Sequence, residues 1–174
     1  GPDMASDFYL YFEGGFAIAG STTDAEFKPK KAVEIHTFSF GSSNPVTIGS
    51  KGITGGKVNL SSVNVMKTFD ESSPALFTAV NTSADIDKAF IVFRRAAGDP
   101  GKGGVTYLRF ELEKPRITSV QWSASAGGDD YPTESVTIEF AKITMHYSPS
   151  DDTGKAVVAG NVSTGWDLLE NKKI

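Results

Sequence analysis

Between Pro132 and Ser148 the apolar residues alternate and then slip by one position. Val136, Ile138 and Phe140 keep a period of two, and Ile143, Met145 and Tyr147 resume it out of phase. Successive side chains of a strand point to opposite faces, so a one-residue slip would send half the set into solvent. The chain must insert a residue or change the face it buries. A β-bulge near Ala141–Lys142 would serve. The same slip separates Val58 and Leu60 from Val63 and Val65, which places a second bulge near Ser61–Ser62. Strands bent in this way close a barrel or serve two sheets.

The rest of the chain fits a mainly β reading. Short β-branched and aromatic runs predict strands near Phe8–Phe12, Ala32–Phe40, Lys57–Lys67, Lys88–Arg95, Val105–Lys114, Arg116–Ser125, Pro132–Ser148 and Ser163–Leu169. One helix is expected. Ser73 is placed at its N-cap and Pro74 at its first position, with Leu76, Phe77 and Val80 on one face and Asn81–Ser83 at its end. We expect one domain from Met4 to Ile174, with Gly1–Asp3 left by a protease site and no secretion leader after Met4.

Several chemistries find no support. The chain has no cysteine, so it offers no disulfide, thiolate ligand or thiol nucleophile. Its net charge is −4 without a basic block, which argues against nucleic acid, and no apolar run is long enough to span a bilayer. His36 and His146 each sit in a strand pattern without a second ligand at metal spacing, and are read as structural. Gly98–Gly104 and Gly52–Lys57 lack the hydroxyl that follows lysine in a phosphate loop, and the first reads as a hairpin turn. Asp129–Asp130 and Asp151–Asp152 read as solvated turns. The expectation is a protein that is not an enzyme and holds no cofactor or metal.

Gly41–Gly56 stands apart. It is long and Gly-rich, yet holds Val46, Ile48 and Ile53 without an evident partner. Two readings fit: a hairpin arm that pairs outside its own domain, or a mobile surface loop.

A set of motifs goes further. Glu34-Ile35 with Ser39-Phe40-Gly41, then Lys67, Asp70, Ser73-Pro74 and Leu76, then Tyr107-Leu108, follow one another along the chain. Pro132-Thr133-Glu134 with Phe140-Ala141-Lys142-Ile143, and Tyr147, Pro149, Gly165-Trp166-Asp167 and Asn171, complete the set. In order and spacing they resemble the haemolysin-coregulated protein (Hcp) family of the type VI secretion system, from Asp7 to Asn171. The chain departs from that pattern at Ala19-Gly20-Ser21, which lacks a Glu, at Phe27, near an expected His, and in a longer loop at Phe27–Ala32. The resemblance implies a small β-barrel of two antiparallel sheets with one short helix and an extended arm. It also implies hexameric rings that stack into the inner tube, secretion through the machine, and effectors carried in the pore. The tip spike protein, sheath subunits and effectors are the implied partners, with no membrane insertion and no cofactor. A monomeric β-sandwich binding module, for carbohydrate, is the alternative, and a small hydrolase a third.

Strand parity extends this to particular residues. If Phe38 and Phe40 point into the barrel, Ile35, Thr37 and Ser39 point out. The resemblance puts that strand in the sheet lining the pore, so Ser39 and Thr37 are expected to face the pore and its cargo. Val46, Ile48 and Ile53 are expected to contact neighbouring subunits.

Overall fold

Both slips in the alternation fall where the chain passes from one sheet to another. In the computed structural model, which describes residues 6–95, 104–128, 130–149 and 160–174, all strand pairing is antiparallel among the described residues. Sheet A runs in the order β15 (Lys172–Lys173), β14 (Val162–Asp167), β13 (Lys142–Tyr147), β10 (Val105–Glu113), β9 (Ile86–Arg95), β1 (Ser6–Gly15) and β2 (Val33–Ile35). Sheet B runs β11 (Arg116–Ser123), β12 (Thr133–Glu139), β8 (Val63–Thr68) and β3 (Thr37–Ser39). Between β3 and β8 the chain leaves as β4 (Ser42–Ser43), β5 (Val46–Gly49), β6 (Gly52–Gly55) and β7 (Asn59–Leu60), with β4 paired to β7 and β5 to β6. The helix α1 (Ser73–Thr82) packs on β11.

The expected bulges are thus corrected. At Phe140–Ala141 the chain crosses from β12 in sheet B to β13 in sheet A, so Ile138 and Ile143 both enter the core from facing sheets. At Ser61–Ser62 it passes from the arm into sheet B. There Ser61 is tied to Gly41 through its N–H (2.9 Å) and its Oγ (2.8 Å). A third crossing lies at His36, whose N–H donates to the Met66 carbonyl at 2.7 Å. It splits the expected strand Ala32–Phe40 into β2 and β3 and overturns the outward placement of Ile35, which is buried in the core. Parity does not carry across a change of sheet. Register shifts do occur, but between Thr106 and Leu108 and between Ile117 and Ser119.

The main core lies between the sheets, around Leu10, Val65, Leu76, Ile91, Leu112 and Ile138. Phe38 joins it, with its ring centroid 5.0 Å from that of Phe110 and 5.1 Å from that of Phe93. A second cluster of Tyr9, Tyr11, Phe27, Ala32, Phe90 and Val92 occupies the other face of sheet A. This explains why Tyr9-Leu10-Tyr11 and Phe90–Phe93 do not alternate: both faces are covered there. Phe27 stacks on Tyr9 at 4.2 Å. Arg94 closes that layer, donating to Asp24 at 2.5 and 3.0 Å and to Tyr9 at 2.9 Å. Burial pushes the Tyr9 phenol up to about 12, and the bond from Arg94 holds the Asp24 carboxyl below its ordinary range.

The helix also differs from expectation. Ser72, not Ser73, is its N-cap and makes no side-chain capping bond. Leu76 and Ala79 are buried, but Phe77 is 51% exposed. At about 100° per residue, burying Leu76 and Ala79 turns Phe77 outward. Apart from Gly104, the expected turn at Gly98–Gly104 lies outside the described residues. So do Asp129, the Asp151–Asp152 pair and Gly1–Asp3.

Candidate functional site

The register of sheet B defines its outward face. Directly paired residues share a face, and the row Phe38–Val65–Val136–Val120 points inward. The alternate rows therefore point out: Ser39–Asn64–Thr137–Ser119, Thr37–Met66–Ser135–Gln121 and Thr68–Thr133–Ser123. Apart from Met66, every member is Ser, Thr, Asn or Gln, and none is charged. Thr137 Oγ1 donates to Asn64 Oδ1 at 2.8 Å. Ser39 and Thr37 are exposed on this face. This face carries no aromatic ring.

The inner side of the same sheet holds a network in which Lys67, Asp70 and Glu134 appear above only as motif residues, Ser73 also as the expected N-cap, and Trp122 not at all. Lys67, Glu134 and Trp122 form one cross-strand row, with Lys67 and Glu134 essentially fully buried. Lys67 Nζ pairs with Glu134 Oε2 and lies 3.0 Å from Asp70 Oδ1, 3.0 Å from the Thr68 carbonyl and 3.2 Å from Ser73 Oγ. Ser73 Oγ and Trp122 Nε1 donate to the two Glu134 oxygens at 3.0 and 2.8 Å. Ser73 thus locks the helix start to β8 and β12 instead of capping α1, and Trp122 ties β11 to the same carboxylate. A signal was present: Lys67 shares parity with Val63 and Val65, and Glu134 with Val136 and Ile138, so two charges sat at core positions.

The segment Gly41–Gly56 is a hairpin arm. Ile48 pairs with Ile53 and Val46 with Gly55. Asn44 clamps the base, accepting from the Gly56 N–H at 2.9 Å and donating to its carbonyl at 3.1 Å. Gly52 turns the chain at φ +112°, a conformation open to glycine. Val46, Ile48 and Ile53 are 58%, 76% and 71% exposed.

Among the described residues neither histidine joins a reactive constellation. His36 is exposed at a sheet crossing. His146 Nδ1 lies 2.6 Å from Ser163 Oγ and its Nε2 4.0 Å from Glu111. That row inverts the order of a serine hydrolase, in which the carboxylate holds Nδ1 and the serine meets Nε2. Glu111 is moreover paired with Lys88 at 2.8 Å. Among the described residues no three His, Asp or Glu converge to hold a metal.

The described residues form, in class, a two-sheet β-barrel with a neutral sheet face and a projecting apolar arm. Comparison with known proteins makes this specific. The family of the type VI secretion system effector Hcp matches residues 9–147. Protein hcp1 of Pseudomonas aeruginosa is 33% identical over 115 residues, spanning 66% of this chain and 68% of that protein. The solved structure of a type six secretion system protein superposes with a TM-score of 0.86 at 28% identity, over 98% of this chain and 100% of the other. Hcp1 from Salmonella typhimurium gives 0.75 over 98% and 100% of the two chains, where 24% identity speaks for the fold alone. The chain belongs to the Hcp family, the secreted structural tube subunits of the type VI secretion system.

Proposed function

We propose that the chain closes into hexameric rings whose pore is lined by the outward face of sheet B. Stacked rings form the inner tube, which carries effectors in the pore and meets the spike protein at its tip and the sheath around it. The subunit forms in the bacterial cytoplasm and leaves through the machine itself. The observation that carries this reading is the uncharged Ser, Thr, Asn and Gln face that runs from Ser39 and Thr37 on β3 across to Ser119 and Gln121 on β11. Such a surface stays wet and offers passing cargo many weak hydrogen bonds but no fixed charge, so cargo is held transiently. The edges of sheet B, β3 and β11, are two different surfaces, as the heterologous contacts of a ring require. Val46, Ile48 and Ile53 supply inter-subunit contacts. The reading needs no cofactor and no catalytic group.

Ser39→Gln tests it. Native mass spectrometry of the variant should still give the hexamer, while co-purification of effector falls. Collapse of the variant to monomers would make Ser39 an interface residue and overturn the pore assignment.

A further inference from the structure

The segment before β2 is mixed in charge along the sequence, and the fold separates its two signs. Residues 24–31 read Asp-Ala-Glu-Phe-Lys-Pro-Lys-Lys, too short and too mixed to stand out as a basic block. They form a strap across the face of sheet A that points away from the main core. Phe27 pins it, 2% exposed and stacked on Tyr9. Both acids of the strap turn onto the buried Arg94: Asp24 accepts at 2.5 and 3.0 Å, and a Glu26 oxygen lies 3.4 Å from the same guanidinium. The lysines turn the other way. Lys28, Lys30 and Lys31 are exposed, and among the described residues none of them pairs with an acid.

The lysines are held on a fixed backbone. The Lys28 N–H donates to the Asp24 carbonyl at 2.8 Å, the Lys31 N–H to the Lys28 carbonyl at 3.0 Å and the Ala32 N–H to the Phe27 carbonyl at 3.3 Å. Lys31 ends the turn at φ +53°. Charges carried on an ordered turn lose less freedom when a partner arrives than charges on a loose loop. The positive band continues along the sheet. Lys30 lies 4.8 Å over the Tyr11 ring, Tyr11 stacks on Phe90 at 4.8 Å, and the Arg109 guanidinium lies 5.7 Å from Phe90. Asp7, Glu13 and Glu34 share this face by register and border the band. A long polyanion laid over the strap would run into those acids, whereas a short acidic segment fits between them.

We propose that the strap is a docking surface for a short acidic segment of a partner protein, whose carboxylates meet Lys28, Lys30 and Lys31. The contact goes beyond the tube reading. It stands on a stretch, Phe27–Ala32, in which the chain departs from the Hcp pattern. Opposite charge brings such a partner in quickly and makes the contact sensitive to salt.

The test uses the full chain and fluorescein-labelled octaglutamate as the probe, with anisotropy read at low ionic strength. The triple variant Lys28→Glu/Lys30→Glu/Lys31→Glu should weaken binding about tenfold or more. A control triple, Lys114→Glu/Lys172→Glu/Lys173→Glu, also exposed, changes net charge by the same amount and should shift binding less than about twofold. Binding by the unaltered chain should fall as added salt screens the lysines. No binding by the unaltered chain, or equal loss in the two triples, would overturn the site. A short DNA duplex that displaces the peptide at equal charge concentration would make the surface a nucleic-acid contact and overturn the acidic-segment assignment. Circular dichroism checks the fold of each variant. Should the reversal unfold the chain, Lys28→Gln/Lys30→Gln/Lys31→Gln against the matching glutamine control reads the same loss. Native mass spectrometry of the same samples reads the hexamer separately, so failure of the ring reading and failure of the strap contact are told apart.

Discussion

The buried pair Lys67–Glu134 gives the sharpest test of how this barrel is held together, because its two halves are not equally supported. Lys67→Met strands the Glu134 carboxylate in the core with two neutral donors, Trp122 Nε1 at 2.8 Å and Ser73 Oγ at 3.0 Å, and no cation. Uncompensated buried charge of this kind costs ~3–5 kcal/mol. Glu134→Gln leaves Lys67 with a second carboxylate, Asp70 at 3.0 Å, and the Thr68 carbonyl at 3.0 Å. Its cost is that of a weakened buried hydrogen-bond set, ~1–2 kcal/mol. In a chain of this size 1 kcal/mol moves Tm by about 2–4 °C. Lys67→Met should therefore lower Tm by about 6–20 °C and Glu134→Gln by about 2–8 °C. The double variant should lie above Lys67→Met alone, because no carboxylate is then stranded. Differential scanning calorimetry at fixed protomer concentration reads all three, since assembly couples to stability. If Glu134→Gln proves the more damaging single change, or the double variant loses the sum of the two, the asymmetric account is wrong.

Two further outcomes follow from local geometry. Arg94 depresses the Asp24 carboxyl in the folded state, so the stability it contributes is complete above the ordinary carboxylate range and is lost as pH falls through the lowered value. Asp24→Asn should flatten the fall in Tm as pH drops below the ordinary Asp value of about 4, and pH profiles that superimpose would count against this. At Gly165, a Cβ would lie 2.8 Å from the Ile143 carbonyl oxygen and 2.9 Å from Thr144 Oγ1. Gly165→Ala should cost ~1–3 kcal/mol through crowding, read by urea denaturation, and an unchanged midpoint would refute it.

Much of the barrel was legible because alternation is a local signal. The slips at Phe140–Ala141 and Ser61–Ser62 were visible as slips. Their cause was not, since an inserted residue and a change of sheet leave the same trace in the sequence. The crossing at His36 was hidden for the opposite reason: Ile35 and Phe38 lie three apart, and a continuous strand read over them put Ile35 on the wrong face. Phe77 was misplaced because one helical turn offers three apolar residues, and only the packing on β11 decides which two go in. The arm announced itself through Val46, Ile48 and Ile53 among glycines, and its hairpin form is now plain. The exposed cluster of Phe69, Phe77 and Trp122 joins residues from β11, α1 and the turn before it, a juxtaposition that exists only in three dimensions. The two-residue β15 is too short to leave a pattern.

The second cluster on sheet A sets a timetable for synthesis. Tyr9 meets Arg94, a partner 85 residues further along the chain. At cellular elongation rates that is a wait of about 4–17 s. Throughout it the run Tyr9-Leu10-Tyr11, destined for burial on both faces, has neither β9 on one side nor the main core beneath it. Pairings of such long sequence separation also close slowly, because loop entropy is spent before contacts repay it. A nascent chain therefore spends seconds presenting a sticky, strand-prone segment to its surroundings, and a cell that makes many copies at once needs holdase capacity in proportion.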